Sequence, residues 1–392
     1  MNNKKSLELP LTGVVLTGGG ARAAYQVGVL KAISEMFPDW HHPFPVIVGT
    51  SAGALNAVGL ASGNELFRHN VARLERIWAN LKISDIYKSD VLGMTWGLSQ
   101  FLQGVLRGHS PEKAMSLLDN SPLRTLLKKE IQFENIKKAL QSGTLHGLGI
   151  NACGYSCGQN ICFYQGQPEI QNWNQGQRLG VATDITLDHL MASSAIPTLF
   201  PPVRINREYF GDGVIRQMAH ISPALHLGAQ KILVVGVSAT RTCAPARIRA
   251  QNTPTLAQVM EHVLNGAFLD TLDFDIDRLE LVNTLLELIP PEKLKEKGLN
   301  LKPVDVVEIS PSRPVEEIAS RHTDKLPTLL KRMMGKNLDT GEGGASLASY
   351  ILFDAGFAKE LIALGYADAQ AESSRLEAFF RPTEDELQKT GS

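Results

Sequence analysis

The sequence predicts an α/β protein with a mostly parallel central sheet, helices on both faces of the sheet and a helical C-terminal extension. Over residues 11–240, short β-branched runs alternate with segments of helical periodicity, which is the pattern of βα units in a parallel sheet. The run 231–237 is apolar at almost every position, as expected of a strand that is buried on both faces. Beyond residue 240 the pattern becomes mostly helical, with one more predicted strand at 304–309.

The chain of 392 residues is long enough to bury a sizeable core, in one large α/β domain or in two smaller ones. We expect one domain with a tail at each end. In this division, residues 1–10 form an N-terminal tail, 11–240 the core that carries the site, 241–380 a mostly helical completion of the same domain, and 381–392 a disordered tail.

Composition and charge exclude several classes of protein. A hydrophobic fraction of 43%, a charged fraction of 20% and a net charge of −1 are ordinary for a soluble globular protein and give no reason to expect nucleic acid as a partner. No run of about 18 uncharged apolar residues occurs, so we expect no transmembrane segment. The apolar residues after Lys4 and Lys5 are too few and too interrupted for a secretory signal, which favours the cytoplasm. A peripheral position on a membrane, and export without a cleaved signal, stay open.

The cysteines give no indication of a metal site. They are Cys153, Cys157, Cys162 and Cys243, and no C-x-x-C pair or histidine at zinc-site spacing accompanies them. We therefore expect free thiols in a reducing compartment. Nothing in the sequence calls for a metal ion or a cofactor.

A glycine-rich stretch follows the first predicted strand, 13–17. It reads Gly18-Gly19-Gly20-Ala21-Arg22-Ala23 and leads into a helical pattern that ends before Pro38. A strand, a glycine-rich loop and a helix in this order are found where dinucleotides bind, but the next strand lacks the acidic residue that would hold a ribose. The alternative is an oxyanion hole, in which backbone amides at the start of a helix stabilise a developing negative charge.

The second predicted strand, 46–48, ends in Gly49-Thr50-Ser51-Ala52-Gly53, and small residues then begin a helix at once. This G-x-S-x-G pattern is typical of a nucleophile elbow, a strained strand-to-helix turn that presents the serine hydroxyl. A Cβ atom at Gly49 or Gly53 would collide with the neighbouring strand or helix. The plainer interpretation is an ordinary turn of glycine and serine. Beside the glycine-rich stretch, however, Ser51 forms a coherent half-site for acyl transfer.

A less regular segment, 83–122, lies between helices predicted at 64–82 and 123–140. Within it, apolar side chains recur at helical spacing over 94–105, close to Trp96. Two interpretations are open for this segment. Either its helix faces the core, or it forms a cap over the site or a membrane-contacting surface.

The remaining predicted elements lie between residues 148 and 364. We expect a β-hairpin of 148–152 and 161–164, a helical turn at 186–194, a fixed extended loop at 195–202, strands at 203–205 and 208–210, helices at 221–227, 256–268, 269–289, 323–334 and 346–364, and a flexible connector at 336–344. The extended loop is predicted because prolines at three of its positions are incompatible with regular structure.

A single aspartate, Asp212, stands between Gly211 and Gly213 just after the strand at 208–210. In isolation this pattern is equally compatible with a turn residue. The functional interpretation is a general base, which the flanking glycines allow the backbone to present at close range.

Three motifs in this order resemble the patatin-like phospholipase family. They are the glycine-rich loop 18–23 with its basic residue, the serine elbow 49–53, and Asp212-Gly213. The segment 192–202 before the aspartate also looks like the family's, and so does Gly228-Ala229, so the resemblance covers roughly residues 10–240. Val214 departs from the pattern, since the family has glycine or alanine there. This departure concerns the local backbone shape more than the carboxylate.

The resemblance implies a three-layer patatin-like fold and a Ser–Asp dyad without histidine. In this dyad Ser51 attacks an ester carbonyl of a phospholipid or lysophospholipid at a membrane surface, Asp212 takes its proton, and water cleaves the resulting acyl-enzyme. The oxyanion hole corresponds to Gly18, Gly19, Gly20, Ala21 and Arg22. Arg22 either braces this loop or attracts the phosphate of the substrate.

Other assignments stay open on the sequence alone. A Ser–Asp–His triad would use a histidine after Asp212, of which His220 is the best placed, and the others are His226, His262 and His322. An acyltransferase on the same scaffold would replace water with another alcohol or a thiol. A catalytically silent module that binds a membrane or a partner is the third alternative. The sequence indicates no oligomeric state.

Overall fold

The protein is described by a computed structural model and contains one mixed, mostly parallel sheet. The structure describes residues 10–63, 65–88, 116–217, 219–239, 262, 266, 270–299, 301–328, 330–331 and 345–381. The strands of this part of the chain are β1 (Thr12–Leu16), β2 (Val46–Thr50), β3 (Gly147–Gly154), β4 (Asn160–Gly166), β5 (Trp173–Gln175), β6 (Arg178–Ala182), β7 (Val203–Ile205), β8 (Glu208–Asp212), β9 (Lys231–Val235) and β10 (Asp305–Ile309).

Strand β1 lies inside the sheet, between β2 and β9, and pairs in parallel with both. The sheet continues to β10 on one side and through β3, β4, β6 and β5 on the other. The predicted hairpin is present, since β3 and β4 pair antiparallel. Strand β8 pairs antiparallel with the end of β3 and with β7. The predicted fold class is therefore confirmed.

Helices cover both faces of this sheet. They are α1 (Ala24–Met36), α2 (Ala52–Ala61), α3 (Phe67–Ala79), α4 (Ile83–Ile86), α5 (Ser121–Glu130), α6 (Phe133–Gln141), α7 (Leu187–Ser193), α8 (Ser222–His226), α9 (Asp270–Leu288), α10 (Pro291–Glu296), α11 (Val315–Ser320), α12 (Ala345–Ile351), α13 (Ala355–Ala371) and α14 (Ser373–Phe380). Val14 and Leu16 of β1 share the larger apolar cluster with α1, α2 and α13, whereas Val15 packs with α8 and α9 on the opposite face. This alternation is the two-residue period of a strand.

The C-terminal helix α13 packs directly on α1. A Cβ atom on Gly28 would lie 2.0 Å from the carbonyl oxygen of Ile362, and one on Gly365 would lie 2.2 Å from that of Tyr25. Glycine at these two positions therefore allows the two helix backbones to touch. Because α1 follows the glycine-rich loop, this contact brings the C-terminal region next to that loop.

Two predicted helices are each divided in the structure. The helix predicted at 123–140 is two helices, α5 and α6, separated at Ile131 and Gln132. The helix predicted at 346–364 is also wrong, because α12 ends at Ile351 and α13 begins at Ala355. The carboxylate of Asp354 caps α13 by accepting hydrogen bonds from backbone amides of its first turn, which favours a new helix start at this point.

Two further predictions fail because of proline. The helix predicted from Thr323 begins instead as a 3₁₀ turn, Thr323–Lys325, and residues 328, 330 and 331 are helical only after Pro327, which disfavours the helical conformation at Leu326. The segment 195–202 is a turn rather than an extended loop. Within it, the amide of Phe200 donates to the carbonyl of Ile196 at 2.9 Å. Proline fixes φ but not ψ, so the chain can still reverse between its prolines.

Several predictions lie outside the described residues. These are the cap or membrane-contact helix at 94–105 with Trp96, nearly all of the helix at 256–268, the connector at 336–344, most of both tails, and Cys243. Across the described ranges, every helix is too short or too polar to cross a membrane. The same ranges hold no group of three or more His, Cys, Asp or Glu side chains that could bind a metal ion.

Candidate active site

Ser51 lies in a strained turn between β2 and α2. Its backbone has φ 56° and ψ −129°, a left-handed conformation that non-glycine residues rarely adopt. The turn is held by a buried relay, in which the amide of Ser51 donates to Ser193 Oγ at 2.9 Å and Ser193 Oγ donates to the carbonyl of Asn151 at 2.7 Å. The strand-to-helix turn predicted at Ser51 is thus present at the end of a buried parallel strand.

The two glycines of the elbow are required by close contacts. A Cβ atom on Gly49 would lie 2.6 Å from Ala54 Cα in α2. One on Gly53 would lie 2.2 Å from the carbonyl oxygen of Leu16 at the end of β1. A side chain at either position would therefore push α2 away from the sheet. The second contact also shows that α2 begins directly beside the start of the glycine-rich loop.

Asp212 lies next to Ser51 because β8 pairs with the same edge of β3 as β2 does, beyond the point where β2 ends. The register of β2 and β3 ends at Thr50 opposite Asn151, and the next residue of β3, Ala152, pairs with Asp212. Strand β4 occupies the other edge of β3 over the same residues, so β8 must lie on the β2 side. Asp212 is consequently in line with the end of β2, where the elbow turns.

Ser51 and Asp212 are joined by a short hydrogen bond. Ser51 Oγ donates to Asp212 Oδ2 at 2.5 Å, and the amide of Val214 donates to Asp212 Oδ1 at 3.0 Å. Val214, the departure from the family's motif, thus supports the carboxylate through its backbone, and its side chain packs in the core. Both carboxylate oxygens are therefore oriented by the protein.

Burial shifts the ionisation of Asp212. Its side chain is almost fully enclosed, at 1% exposure. Desolvation raises the pKa of the Asp212 carboxyl to about 7, although the hydrogen bonds from Ser51 and Val214 act in the opposite direction. A carboxyl group with this pKa exchanges its proton near neutral pH, which suits a general base.

The glycine-rich loop lies at the carboxyl end of β1, next to the elbow, since Leu16 of β1 pairs with Gly49 of β2. Gly20 has φ 55°, and a Cβ atom there would lie 2.1 Å from the carbonyl oxygen of Tyr350. Within the ranges that the structure describes, the backbone amides of Gly18-Gly19-Gly20-Ala21 have no hydrogen-bond acceptor. Donors without acceptors beside a serine hydroxyl are what an oxyanion hole requires.

Arg22 is fully buried and is held by the C-terminal region. Its Nε donates to Ser349 Oγ at 2.7 Å, and its Nη2 lies 2.8 Å from Glu316 Oε1 and 3.2 Å from Ser346 Oγ. The guanidinium carbon also stacks over the ring of Tyr350 at 4.1 Å. These contacts correspond to the alternative in which Arg22 braces the loop. Its Nη1 is buried and has no hydrogen-bond partner among the described residues.

A row of buried, hydrogen-bonded side chains supports the start of the glycine-rich loop, and the sequence analysis missed it. Gln26 Nε2 donates to the carbonyl of Thr17 at 2.8 Å, and Asn56 Nδ2 donates to Gln26 Oε1 at 2.9 Å. Trp78 Nε1 completes the chain by donating to Asn56 Oδ1 at 2.8 Å. The available signal was a polar residue inside each of two otherwise apolar helix faces, at Gln26 and Asn56.

The candidate triad histidines have other partners. His220 Nε2 lies 2.8 Å from Thr271 Oγ1, and the ring of His226 stacks on Trp173 with centroids 4.5 Å apart. His322 Nε2 lies 2.7 Å from Glu360 Oε1. His262 is on the surface. Of the predicted groups, the structure therefore brings together the serine, the aspartate and the glycine-rich loop, but none of these histidines.

A serine at a strained strand-to-helix turn, hydrogen-bonded to a buried carboxylate, has the geometry expected of a nucleophile elbow. The sequence places this site in a known family. The family model described as patatin-like phospholipase matches residues 14–225, more than half of the chain. The chain therefore belongs to the patatin-like phospholipase family.

The individual relatives share only low sequence identity with this chain. A protein of Escherichia coli (strain TW11681) named cGAMP-activated phospholipase is 26% identical over 224 residues, and the match covers 54% of each chain. The match thus spans about half of that relative's length. Among solved structures, human GIVD cytosolic phospholipase A2 with a fluorophosphonate inhibitor is 12% identical, with a TM-score of 0.43 over 98% of this chain and 60% of that one. VipD from Legionella pneumophila is 11% identical, with a TM-score of 0.32 over 98% and 80%.

Proposed function

We propose that the protein is a lipid acyl hydrolase that cleaves carboxylic esters of phospholipids or lysophospholipids at a membrane surface. The observation that carries this proposal is the 2.5 Å hydrogen bond from Ser51 Oγ to the buried carboxylate of Asp212. Membership of the patatin-like phospholipase family supports a lipid ester as the substrate. The strained turn at Ser51 and the free amides of the glycine-rich loop are consistent with acyl transfer.

In the first step, Asp212 accepts the proton of Ser51 while Oγ forms a bond with the ester carbonyl carbon. The carbonyl oxygen becomes an oxyanion, and the amides of Gly19, Gly20 and Ala21 donate to it. One such donor typically contributes about 3 kcal/mol to stabilisation of the transition state. Collapse of this intermediate breaks the bond to the leaving alcohol, which takes the proton from Asp212 and leaves an acyl group on Ser51.

In the second step, water attacks the acyl-enzyme and Asp212 accepts a proton from it. The serine oxygen then leaves, recovers the proton from Asp212, and the fatty acid is released. Aspartate is ordinarily a weak base, so the dyad depends on burial to raise its pKa to about 7. No further group is needed to balance either step.

We also propose that residues 11–380 form one catalytic domain. The support is that α13 packs on α1 and that Glu316, Ser346 and Ser349 hold Arg22 of the glycine-rich loop. The site would lose this brace if the chain ended after residue 240.

The test is hydrolysis of nitrophenyl butyrate and of phospholipid vesicles by the wild type and by Ser51→Ala. Loss of the nucleophile should lower kcat by at least about a thousandfold. The matched control is Ser34→Ala, which removes another buried serine hydroxyl, one that donates within α1 to the carbonyl of Lys31. Activity of Ser51→Ala within threefold of Ser34→Ala would reject the proposal. Adding an acceptor alcohol and analysing the products distinguishes hydrolysis from acyl transfer.

A further inference from the structure

Two turns project from the carboxyl edge of the sheet, beside the candidate active site. One turn joins β3 to β4, and the other joins β7 to β8. Strand β8 runs antiparallel to β3 and pairs Phe210 with Gly154, the last residue of β3. Residues 204–209 therefore extend beyond the end of β3, at the edge of the sheet where Ser51 follows β2.

The two turns are hydrogen-bonded to each other. Glu208 Oε1 accepts from the backbone amides of Ser156 and Cys157, both at 2.7 Å. The amide of Tyr155 donates to the carbonyl of Tyr209 at 2.9 Å. These bonds join the turns into one surface at the edge of the site. We call this surface the rim and define it as residues 155–159, 204–209, 215 and 216.

The outer face of the rim is aromatic. Phe210 packs in the larger apolar cluster, so its neighbour Tyr209 points away from the core. Arg204 lies directly opposite Tyr209 in the hairpin and shares its face. A Cβ atom on Gly211 would lie 2.5 Å from Tyr155 Oη, so glycine at this position leaves room for the Tyr155 ring on the same face. Tyr155 and Tyr209 are 48% and 46% exposed, which leaves two tyrosine rings and an arginine in contact with solvent.

The charge of the rim is positive. Arg204, Arg207 and Arg216 are exposed, and Glu208 is the acidic residue among the rim positions. Arg216 extends over the β3–β4 turn, where its Nη2 would lie 4.0 Å from a Cβ atom on Gly158. Within the described ranges, none of the three arginines is part of an ion pair. The rim therefore presents cations that can bind an external anion.

Another exposed apolar surface, on α9, has the opposite charge. It includes Phe274, Leu281 and Leu288, and apart from Arg278 the charged residues of this helix are acidic. The helix also runs away from the carboxyl edge of the sheet, because Asn283 near its end is hydrogen-bonded to the backbone just before β10 begins. The surface on α9 therefore provides a control for the rim.

We propose that the rim binds the surface of a bilayer that contains anionic phospholipids, and that this contact brings Ser51 to its substrate. The inference rests on the hydrolase function proposed above. Small ligands bind in concave sites, whereas two projecting turns fit a broad partner. Tyrosine is enriched at the head-group level of membranes, and the guanidinium group of arginine matches the geometry of a phosphate. An acidic protein would also match the arginines, but the rim borders a site whose proposed substrate is a membrane lipid.

Vesicle flotation tests the proposal, with Ser51→Ala as the background so that the lipid is not hydrolysed. The vesicles contain phosphatidylcholine alone, or phosphatidylcholine and phosphatidylglycerol in equal parts. One arginine near an anionic membrane strengthens binding about fivefold, so Arg204→Gln and Arg207→Gln together should weaken binding to the anionic vesicles about 25-fold. The matched control is Arg278→Gln on α9, which should change this binding by less than about twofold.

Three results would overturn the proposal. They are equal binding of Ser51→Ala to both kinds of vesicle, anionic binding that Arg204→Gln and Arg207→Gln leave unchanged, and no binding to either kind. The last result would favour an acidic protein as the partner of the rim. Salt covers the case in which a variant does not fold, because about 1 M NaCl should release Ser51→Ala from the anionic vesicles. Full binding at this salt concentration would also contradict the proposal.

The tyrosines are tested by the same assay. Tyr155→Ser and Tyr209→Ser together should weaken binding to the anionic vesicles at least about fivefold, because the rings no longer enter the head-group region. The control is Phe274→Ser, which removes a more exposed ring from α9 and should leave binding unchanged. A loss in Phe274→Ser that equals the loss in the tyrosine variant would place the membrane contact on α9 and overturn the proposal.

Hydrolysis separates this proposal from the proposed function. With Ser51 intact, the double variant Arg204→Gln and Arg207→Gln should hydrolyse soluble nitrophenyl butyrate within about threefold of the wild type, but anionic vesicles at least about tenfold more slowly. Equal losses on both substrates would overturn the membrane role of the rim. If Ser51→Ala still hydrolyses nitrophenyl butyrate, the proposed function fails instead, independently of the flotation result.

Discussion

Asp212 and His220 are two buried titratable side chains in the same part of the chain, and they differ in what they contact. Each is 1% exposed. Burial disfavours the charged form of both, so it raises the pKa of Asp212 to about 7 and lowers the pKa of His220 to about 4. Asp212 accepts a hydrogen bond from Ser51, whereas His220 is bonded to Thr271.

Burial shifts the pKa of both residues, and the two differ in their hydrogen-bond partners. Ser51 sits in a strained turn at the end of β2, beside amides that have no acceptor in the described ranges. Thr271 sits inside the ordinary helix α9, on the other face of the sheet. A perturbed pKa therefore identifies a buried group, and only its surroundings identify a site.

The largest expected effect comes from replacing the titratable group of each residue in this comparison with an amide. Asp212→Asn removes the proposed base and should lower kcat for nitrophenyl butyrate by about 10³-fold, whereas His220→Gln should stay within threefold. Thermal melting of each variant verifies that it is folded. If His220→Gln lost as much activity as Asp212→Asn, the histidine would have to be part of the mechanism.

A smaller effect is expected from removing the hydroxyl groups that are hydrogen-bonded to Ser51 and to His220. Ser193→Ala removes the acceptor of the Ser51 amide. The turn at Ser51 should then be held less rigidly, and kcat/KM should fall about tenfold. Thr271→Val removes the partner of His220 and should leave kcat/KM unchanged. Steady-state kinetics on both variants decide this point. A loss in Thr271→Val that matches Ser193→Ala would mean that the activity senses general packing rather than the elbow.

The smallest expected effect is on the pH dependence of the free energy of unfolding. Asp212 and His220 contribute to this dependence with opposite signs. The folded protein keeps a proton on Asp212 up to about pH 7, whereas the unfolded chain releases it near 3.8, so stability falls as pH rises through this window. For His220 the unfolded chain takes up its proton near 6.5 and the folded protein only near 4, so stability falls as pH drops through that window.

Melting temperatures between pH 4 and 8 measure both slopes. Relative to the wild type, Asp212→Asn should gain a few degrees as pH rises, and His220→Gln should gain a few degrees as pH falls. Parallel curves for the wild type and both variants would show that neither group has a shifted pKa in the folded protein.

The local parts of the site could be predicted from the sequence. The elbow and the glycine-rich loop are each a strand, a turn and a helix in continuous sequence, so glycine spacing and hydrophobic pattern were sufficient. Asp212 could be proposed as a base but not placed, because its position depends on β8 replacing β2 beside β3. That pairing joins distant segments, and only the family resemblance indicated it.

The supports of the site could not be predicted at all. Arg22 is bound by Glu316, Ser346 and Ser349, and nothing in the sequence around Arg22 specifies partners from the far end of the chain. The division of the helix at 346–364 has a similar origin, because Asp354 acts as a cap only when the chain turns there. Periodicity describes how a segment presents its side chains, but not which other segment they meet.

The most direct test of the account is the pH dependence of kcat/KM for nitrophenyl butyrate. If Asp212 is the base, kcat/KM should rise about tenfold per pH unit at low pH and level off above an apparent pKa near 7. If a base with the pKa of His220 were used instead, the profile would already be flat at pH 5. A flat profile from pH 5 to pH 9 would therefore contradict the assignment of Asp212 as the group that activates Ser51.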